Sequence, residues 1–284
     1  MQNKIHTMLA IGGSDPCGGA GIQSDILTAR SLGIHSMTAI TAVTAQNSKG
    51  VYNSGEIEPK LLKQQLDAIS DECLIDGVKI GLMLSMPQIE IVSDFLQSLP
   101  SSIPIVVDPV LKATSAKKNF STESDYKFFL TGLVEKLFPL ATIITPNIQE
   151  AFRFVNELKG QSIIGSSIPE IGKILLKWWK CQSVIVKGGH LEEMEISDLL
   201  FLKSSHSIEI KSYDHPKLEC HNLHGTGCVF SSLLTSFLIL GHSIYDSFIM
   251  ASQSMEKIIM KSISYRLKGS CVNGPLNIIN YKLI

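Results

Sequence analysis

The stretch IVVDPVLKATSAKKNFSTESDYKFFLTGLVEKLFPLATIITPNIQE, residues 105–150, carries the pattern that decides the fold. Ile105 to Val107 is a short β-branched run closed by Asp108-Pro109, and Ile143 to Thr145 is a second such run closed by Pro146-Asn147. Between them, Ser124 to Leu137 repeats its apolar residues at helical spacing. Strand, helix and strand in that order make a crossover unit with two parallel strands. Both strands then end at the same sheet edge, where α/β proteins place their ligands.

Working outward, the same alternation fills the chain. Strands are expected near Met8 to Ile11, Met37 to Val43, Gly77 to Ile80 and Ser183 to Val186, with a β-hairpin from Ser197 to Ile210. Helices are expected at Ile22 to Leu32, Pro59 to Ser70, Pro87 to Leu99, Gln149 to Leu158, Pro169 to Trp179, Gly227 to Leu240 and Ile244 to Leu267. This predicts an α/β three-layer sandwich around a mostly parallel sheet. No repeat, linker or low-complexity tract divides residues 1–284, so a single domain is expected, with the polar run Lys112 to Ser124 as a mobile loop.

Lysine and arginine number 25 against 26 acidic residues, giving a net charge of −1. That balance favours a small-molecule partner over nucleic acid or an anionic membrane. The six cysteines are far apart, without the close pairs of metal knuckles or redox motifs, and read as reduced cytoplasmic thiols. The apolar run Val229 to Leu240 carries Ser231, Ser232, Thr235 and Ser236, which marks a buried helix rather than a membrane span.

Several segments carry candidate chemistry. In Asn222-Leu223-His224-Gly225-Thr226-Gly227-Cys228 the glycines stand where a loop becomes a helix N-terminus. Amides there, with the helix dipole, stabilise an anion; an ordinary tight turn and cap explains the same residues. Cys228 in the first helical turn lies where that field favours thiolate, so it can accept a substrate proton, though a small core cysteine is the plainer reading. The glycine-rich run from Gly12 to Gly21 follows the first strand but lacks the dinucleotide-binding pattern, which disfavours a nicotinamide cofactor. Asp25 is expected in the first turn of the next helix, either complementing its dipole or binding an amino or hydroxyl group. Gln46, at the polar end of Thr41 to Asn47, can read a heterocycle edge through its paired donor and acceptor. Asn147 and Glu150 have capping-box spacing, and Glu150 could equally help hold magnesium through water. Lys187, after strand Val184 to Val186, could neutralise nucleotide phosphates, and Asp108 is a strand-end carboxylate open to metal or reacting groups.

Taken together, GGSDPCGGAGIQSD, TAVTAQNSKGV, VKIGLM, VVDPV, TPNIQEA, VIVKGGH and HGTGC occur in an order that resembles the hydroxymethylpyrimidine/phosphomethylpyrimidine kinases. Asn273 to Asn277 is similar to that family's closing Gly-Pro segment, so the resemblance covers nearly the whole chain. It implies a ribokinase-like fold, ATP and magnesium, and two successive phosphorylations of the pyrimidine that enters thiamine diphosphate. It also implies a possible homodimer. On this resemblance Gly13, Asp25, Gln46, Leu82 and Val110 bind the substrate. Cys228 is the base, with Gly225, Thr226 and Gly227 as the anion hole. Lys187, Asn147 and Thr226 serve the nucleotide, and Glu150 and Asp108 the metal. Leu82 stands where similar members carry methionine, and Leu111 to Lys118 departs from the family's Ser-Gly lid. A pyridoxal kinase of the same group and a non-catalytic sensor of a thiamine precursor are the alternatives.

Overall fold

The structure is a computed structural model that describes residues 4–47, 50–111, 122–159, 167–188, 195–204, 207–216 and 225–263. Nine strands form one sheet in the order β3-β2-β1-β4-β5-β6-β7-β8-β9. They are β1 (Thr7–Ser14), β2 (His35–Asn47), β3 (Gly50–Glu56), β4 (Gly77–Ile80), β5 (Ile105–Val107), β6 (Ile143–Ile144), β7 (Ser183–Val186), β8 (Glu195–Lys203) and β9 (Ile208–Pro216). The six from β2 to β7 in that order are parallel, and antiparallel β3 and the β8–β9 hairpin flank them. All six parallel strands therefore end at one edge.

Helices α1 (Gly21–Ser31), α7 (Thr226–Ile239) and α8 (Ile244–Ser262) pack on one face, against Met8, Ala10, Val106, Ile143 and Ile185. On the other face lie α2 (Pro59–Glu72), α3 (Met86–Ser98), α4 (Glu123–Gly132), α5 (Ile148–Phe154) and α6 (Ile168–Trp179). Those five pack against Leu9, Ile11, Val78, Ile80, Val107 and Ile144. The alternation of Met8 and Ala10 with Leu9 and Ile11 is the period-2 pattern of a strand buried on both faces. Phe138, Phe154 and Trp179 close the second core as three edge-to-face pairs with centroids 4.7 to 5.4 Å apart. This is the expected three-layer sandwich with a mostly parallel sheet.

Several local expectations need correcting. The sequence offers no signal for strand β3: Gly50 to Glu56 is mostly exposed and shows no apolar alternation, and it pairs with β2 while Ser85 Oγ donates to Glu56 at its end. Thr122 and Asp125 form a capping box, so Thr122 to Ser124 start α4 rather than extend a loop. The helices after Gly132 and Phe154 loosen into π-helical turns at Leu133–Leu137 and Val155–Lys159. The proposed lid at 112–120, Gly189, His190, residues 222–224 and the closing segment 273–277 lie outside the described residues, as do residues 264–267 of the last expected helix. Helix α7 is almost wholly buried, and among the described residues no helix is long and apolar enough to cross a membrane.

Candidate active site

A cleft of about 440 Å³ opens at the C-terminal edge of the parallel strands. Every site residue singled out in the sequence lines it: Gly13, Asp25, Gln46, Leu82, Asp108, Val110, Asn147, Glu150, Lys187, Gly225, Thr226, Gly227 and Cys228. Gln46 and Cys228, far apart along the chain, thus share one cavity.

Two glycine segments build the near wall. Asp15 is nearly buried, and its carboxylate accepts N–H bonds from Cys17 (2.9 Å), Gly19 (3.2 Å) and Ala20 (2.9 Å), winding residues 15–20 into a tight turn. Gly225, the N-cap of α7, has φ +85°, and a Cβ there would meet the Gly19 carbonyl oxygen at 1.8 Å. The start of α7 therefore presses on the β1–α1 turn in a way only glycine permits. The N-cap glycine has no side chain with which to cap this helix start, and its first turn lines the cleft. A Cβ on Gly227 would lie 3.1 Å from Asp108 Oδ2 and 3.4 Å from Lys187 Nζ, so the same turn also abuts the strand-end ion pair.

Cys228 sits in this first turn, half-buried. Burial pushes its thiol up to about 11, against the pull of the Lys79 ammonium and the Gly21 amide and with the push of Asp25 and Asp108. Burial thus acts against the helix field that favours thiolate at this position. Asp25 is not in the first turn, because α1 begins at Gly21. It is fully buried, and both its oxygens are engaged: Lys79 Nζ lies 2.9 Å from each, and Ser232 Oγ donates to Oδ1 at 2.7 Å.

At the other end, Lys187 Nζ donates to Asp108 Oδ1 at 3.0 Å, and Thr145 Oγ1 donates to the same oxygen at 3.3 Å. Lys187 is fixed through its backbone, its N–H donating to Pro146 O and its carbonyl accepting from Ile148. Asn147 and Glu150 form the capping box that starts α5, with Glu150 N–H on Asn147 Oδ1 and Asn147 N–H on Glu150 Oε2, both 2.9 Å. Burial raises Glu150 to about 7, opposed by Lys187 and assisted by Asp108. The capping reading holds in full, and the same carboxylate faces the cleft. Among the described residues no three acidic, histidine or cysteine side chains gather into a metal cage. Two separate carboxylates beside an anion cradle suit a hydrated magnesium ion carried in on phosphates, since that ion keeps much of its water shell.

The apolar wall is Leu82 and Val110, packed with Ala42 and Leu84. A Cβ on Gly13 would meet Leu82 Cδ2 at 3.0 Å, so Gly13 leaves room for that side chain. Gln46 is half-buried on the β2–β3 ribbon, just past a register shift between Ala45 and Gln46, and its carbonyl accepts from the Cys17 thiol at 3.2 Å.

The sequence reading missed Lys79, Ser232 and Asp15. Lys79 carried a signal, a charge inside a four-residue strand otherwise free of polar side chains. Asp15, between Ser14 and Pro16 before three glycines, bore the mark of a turn organiser. Ser232 had none, being one of several hydroxyl residues in an apolar helix.

A cleft at the strand C-termini, faced by a glycine-led helix start in a three-layer sandwich, defines a ribokinase-like kinase. The pyridoxal kinase of Staphylococcus aureus solved with AMP-PCP and pyridoxal shares this fold, with a TM-score of 0.77 at 24% identity over 98% of this chain and 95% of that one. The phosphomethylpyrimidine kinase of Clostridium difficile 630 superposes with a TM-score of 0.69 at 33% identity over 89% of this chain and 99% of that one. A family model described as phosphomethylpyrimidine kinase matches residues 15–276. The hydroxymethylpyrimidine/phosphomethylpyrimidine kinase of Bacillus subtilis is 36% identical over 282 residues, 98% of this chain and 97% of that one. The chain belongs to the phosphomethylpyrimidine kinase family.

Proposed function

We propose that the protein transfers the γ-phosphoryl group of ATP to the hydroxymethyl oxygen of 4-amino-5-hydroxymethyl-2-methylpyrimidine, and then phosphorylates the monophosphate, in cytoplasmic thiamine diphosphate synthesis. The observation that carries this reading is the convergence of Gln46, Cys228 and the Asp108–Lys187 pair on one cleft. Gln46 would pair with the ring edge, while Leu82 and Val110 cover its flat face.

The Gly225 to Gly227 turn and Lys187 would hold the phosphates, so positioning and charge stabilisation supply most of the acceleration. The substrate O–H proton passes to the Cys228 sulfur as the oxygen bonds to the γ-phosphorus. The bond to the bridging oxygen breaks, and ADP departs with that electron pair. With the thiol raised to about 11, the competent thiolate is a minority form at neutral pH. Glu150 and Asp108 would hold magnesium through its water shell. Bound there, the ion would neutralise charge on the nucleotide phosphates.

The test is ADP release by purified protein with the pyrimidine, its monophosphate or pyridoxal, each with and without magnesium. Both pyrimidines should support magnesium-dependent release above that with pyridoxal. Cys228→Ala should lower turnover by about 10²–10⁴-fold while ATP still binds. Near-parental turnover of that variant would remove the base assignment, and a preference for pyridoxal would move the protein to the neighbouring branch of the fold.

A further inference from the structure

Lys79 is a cationic group of the cleft that the reaction above does not use. On β4, Val78 and Ile80 face the α2–α6 core, so positions 77, 79 and 81 face α1 and α7. Gly77 confirms the direction, because a Cβ there would meet Ile239 of α7 at 2.6 Å. Lys79 reaches the cleft floor with its side chain 1% exposed, gripped by an Asp25 carboxylate that is 0% exposed. Ser232 completes the cluster, and it lies four residues after Cys228, hence on the same face of α7.

An ammonium group has three N–H donors. The two oxygens of Asp25 account for two, and no other acceptor for Lys79 is found among the described residues. Gly81, also lining the cleft, leaves this charge uncovered: a Cβ there would sit 3.2 Å from Nζ. The carboxylates and the thiol around Lys79 outweigh its burial and keep its pKa above the usual lysine range.

We propose that Lys79 is a further functional residue, whose ammonium, clamped by Asp25 and left uncovered by Gly81, stabilises negative charge arising beside Cys228 as the acceptor hydroxyl gives up its proton. The inference rests on the kinase reading for its chemical consequence. The charged groups facing the thiol are Lys79 from β4, Asp25 from α1 and Asp108 beyond β5.

Two variants test it. Lys79→Met/Asp25→Asn removes both charges together, leaving no isolated buried ion. Gly81→Ala covers the ammonium while leaving the pair in place. For each, thermal stability, kcat, KM for ATP and the pH midpoint of Cys228 alkylation by iodoacetamide are measured. Both should lower kcat about a hundredfold with KM for ATP within about threefold. In the double variant the alkylation midpoint should move upward, because the pull of Lys79 on the thiol exceeds the push of Asp25. A folded double variant with parental kcat and parental midpoint overturns the proposal and leaves Lys79 a structural ion pair. Should the double variant fail to fold, near-parental kcat in Gly81→Ala overturns it alone. Should the parent protein turn over none of the alcohols, the kinase reading fails, and the alkylation midpoint still decides whether Lys79 acts on the thiol.

Discussion

Two lysine–aspartate pairs line the same cleft with nearly equal bond lengths, 2.9 Å for Lys79–Asp25 and 3.0 Å for Lys187–Asp108, yet they do different physical work. Lys79 lies inside a strand with 1% of its side chain exposed, and its partner carboxylate is also held by a hydroxyl from α7. Lys187 lies just beyond its strand, 16% exposed, with a carboxylate held by Thr145 at a strand tip and abutted by the first turn of α7. The first pair joins three elements and sets geometry before any ligand arrives. In the proposed reaction the second would exchange Asp108 for a phosphate oxygen. Distance alone says nothing of this; burial and the number of elements joined do.

The largest expected effect separates the pairs by stability. Lys79→Met leaves a buried carboxylate without its counter-charge and should lower unfolding free energy by about 3–5 kcal/mol. Lys187→Met should lower it by about 1–2 kcal/mol, because Asp108 keeps its bond from Thr145 and the lysine removed is already 16% exposed. Urea unfolding reads both, and equal losses would break the distinction.

Next in size is a pH effect at the thiol beside the deeper pair. The folded-state pKa of Cys228 is raised to about 11, so between pH 7 and 9 its thiolate fraction grows about tenfold per unit. The log of kcat should climb with a slope near one. The same shift stabilises the fold below the unfolded thiol pKa, and that contribution is lost as pH rises through about 11. A flat kcat profile would argue that thiol ionisation plays no part in turnover.

The smallest effect is at the rim. Gln46→Ala should raise KM for the pyrimidine about tenfold, one charge-free hydrogen-bond pair, with kcat within about threefold. An equal fall in kcat would mean that the rim also orients the reacting oxygen, which would blur the contrast between preset floor and adaptable edge.

The sequence carried the sandwich because its parallel strands are buried on both faces and read as β-branched runs: β4, β5 and β7 fall at the expected residues. It did not carry β3, whose residues are mostly exposed and gain their order from pairing with β2 rather than from an apolar pattern. The glycine turns and strand-end polar groups were legible, since backbone demands and sheet direction point them to one edge. What escaped was tertiary: that Asp25 is occupied by Lys79 and Ser232, and that burial lifts the Cys228 thiol. A carboxylate at helical spacing looks the same whether it meets a ligand or an ammonium from another strand.

The contact of Gly225 with the Gly19 carbonyl has a consequence for synthesis on the ribosome. The turn organised by Asp15 is made well before the helix that closes the cleft against it. A nascent chain can therefore bury most of its sheet while possessing no working pocket, and a ligand that binds the finished cleft has nothing to grip until that helix has been made.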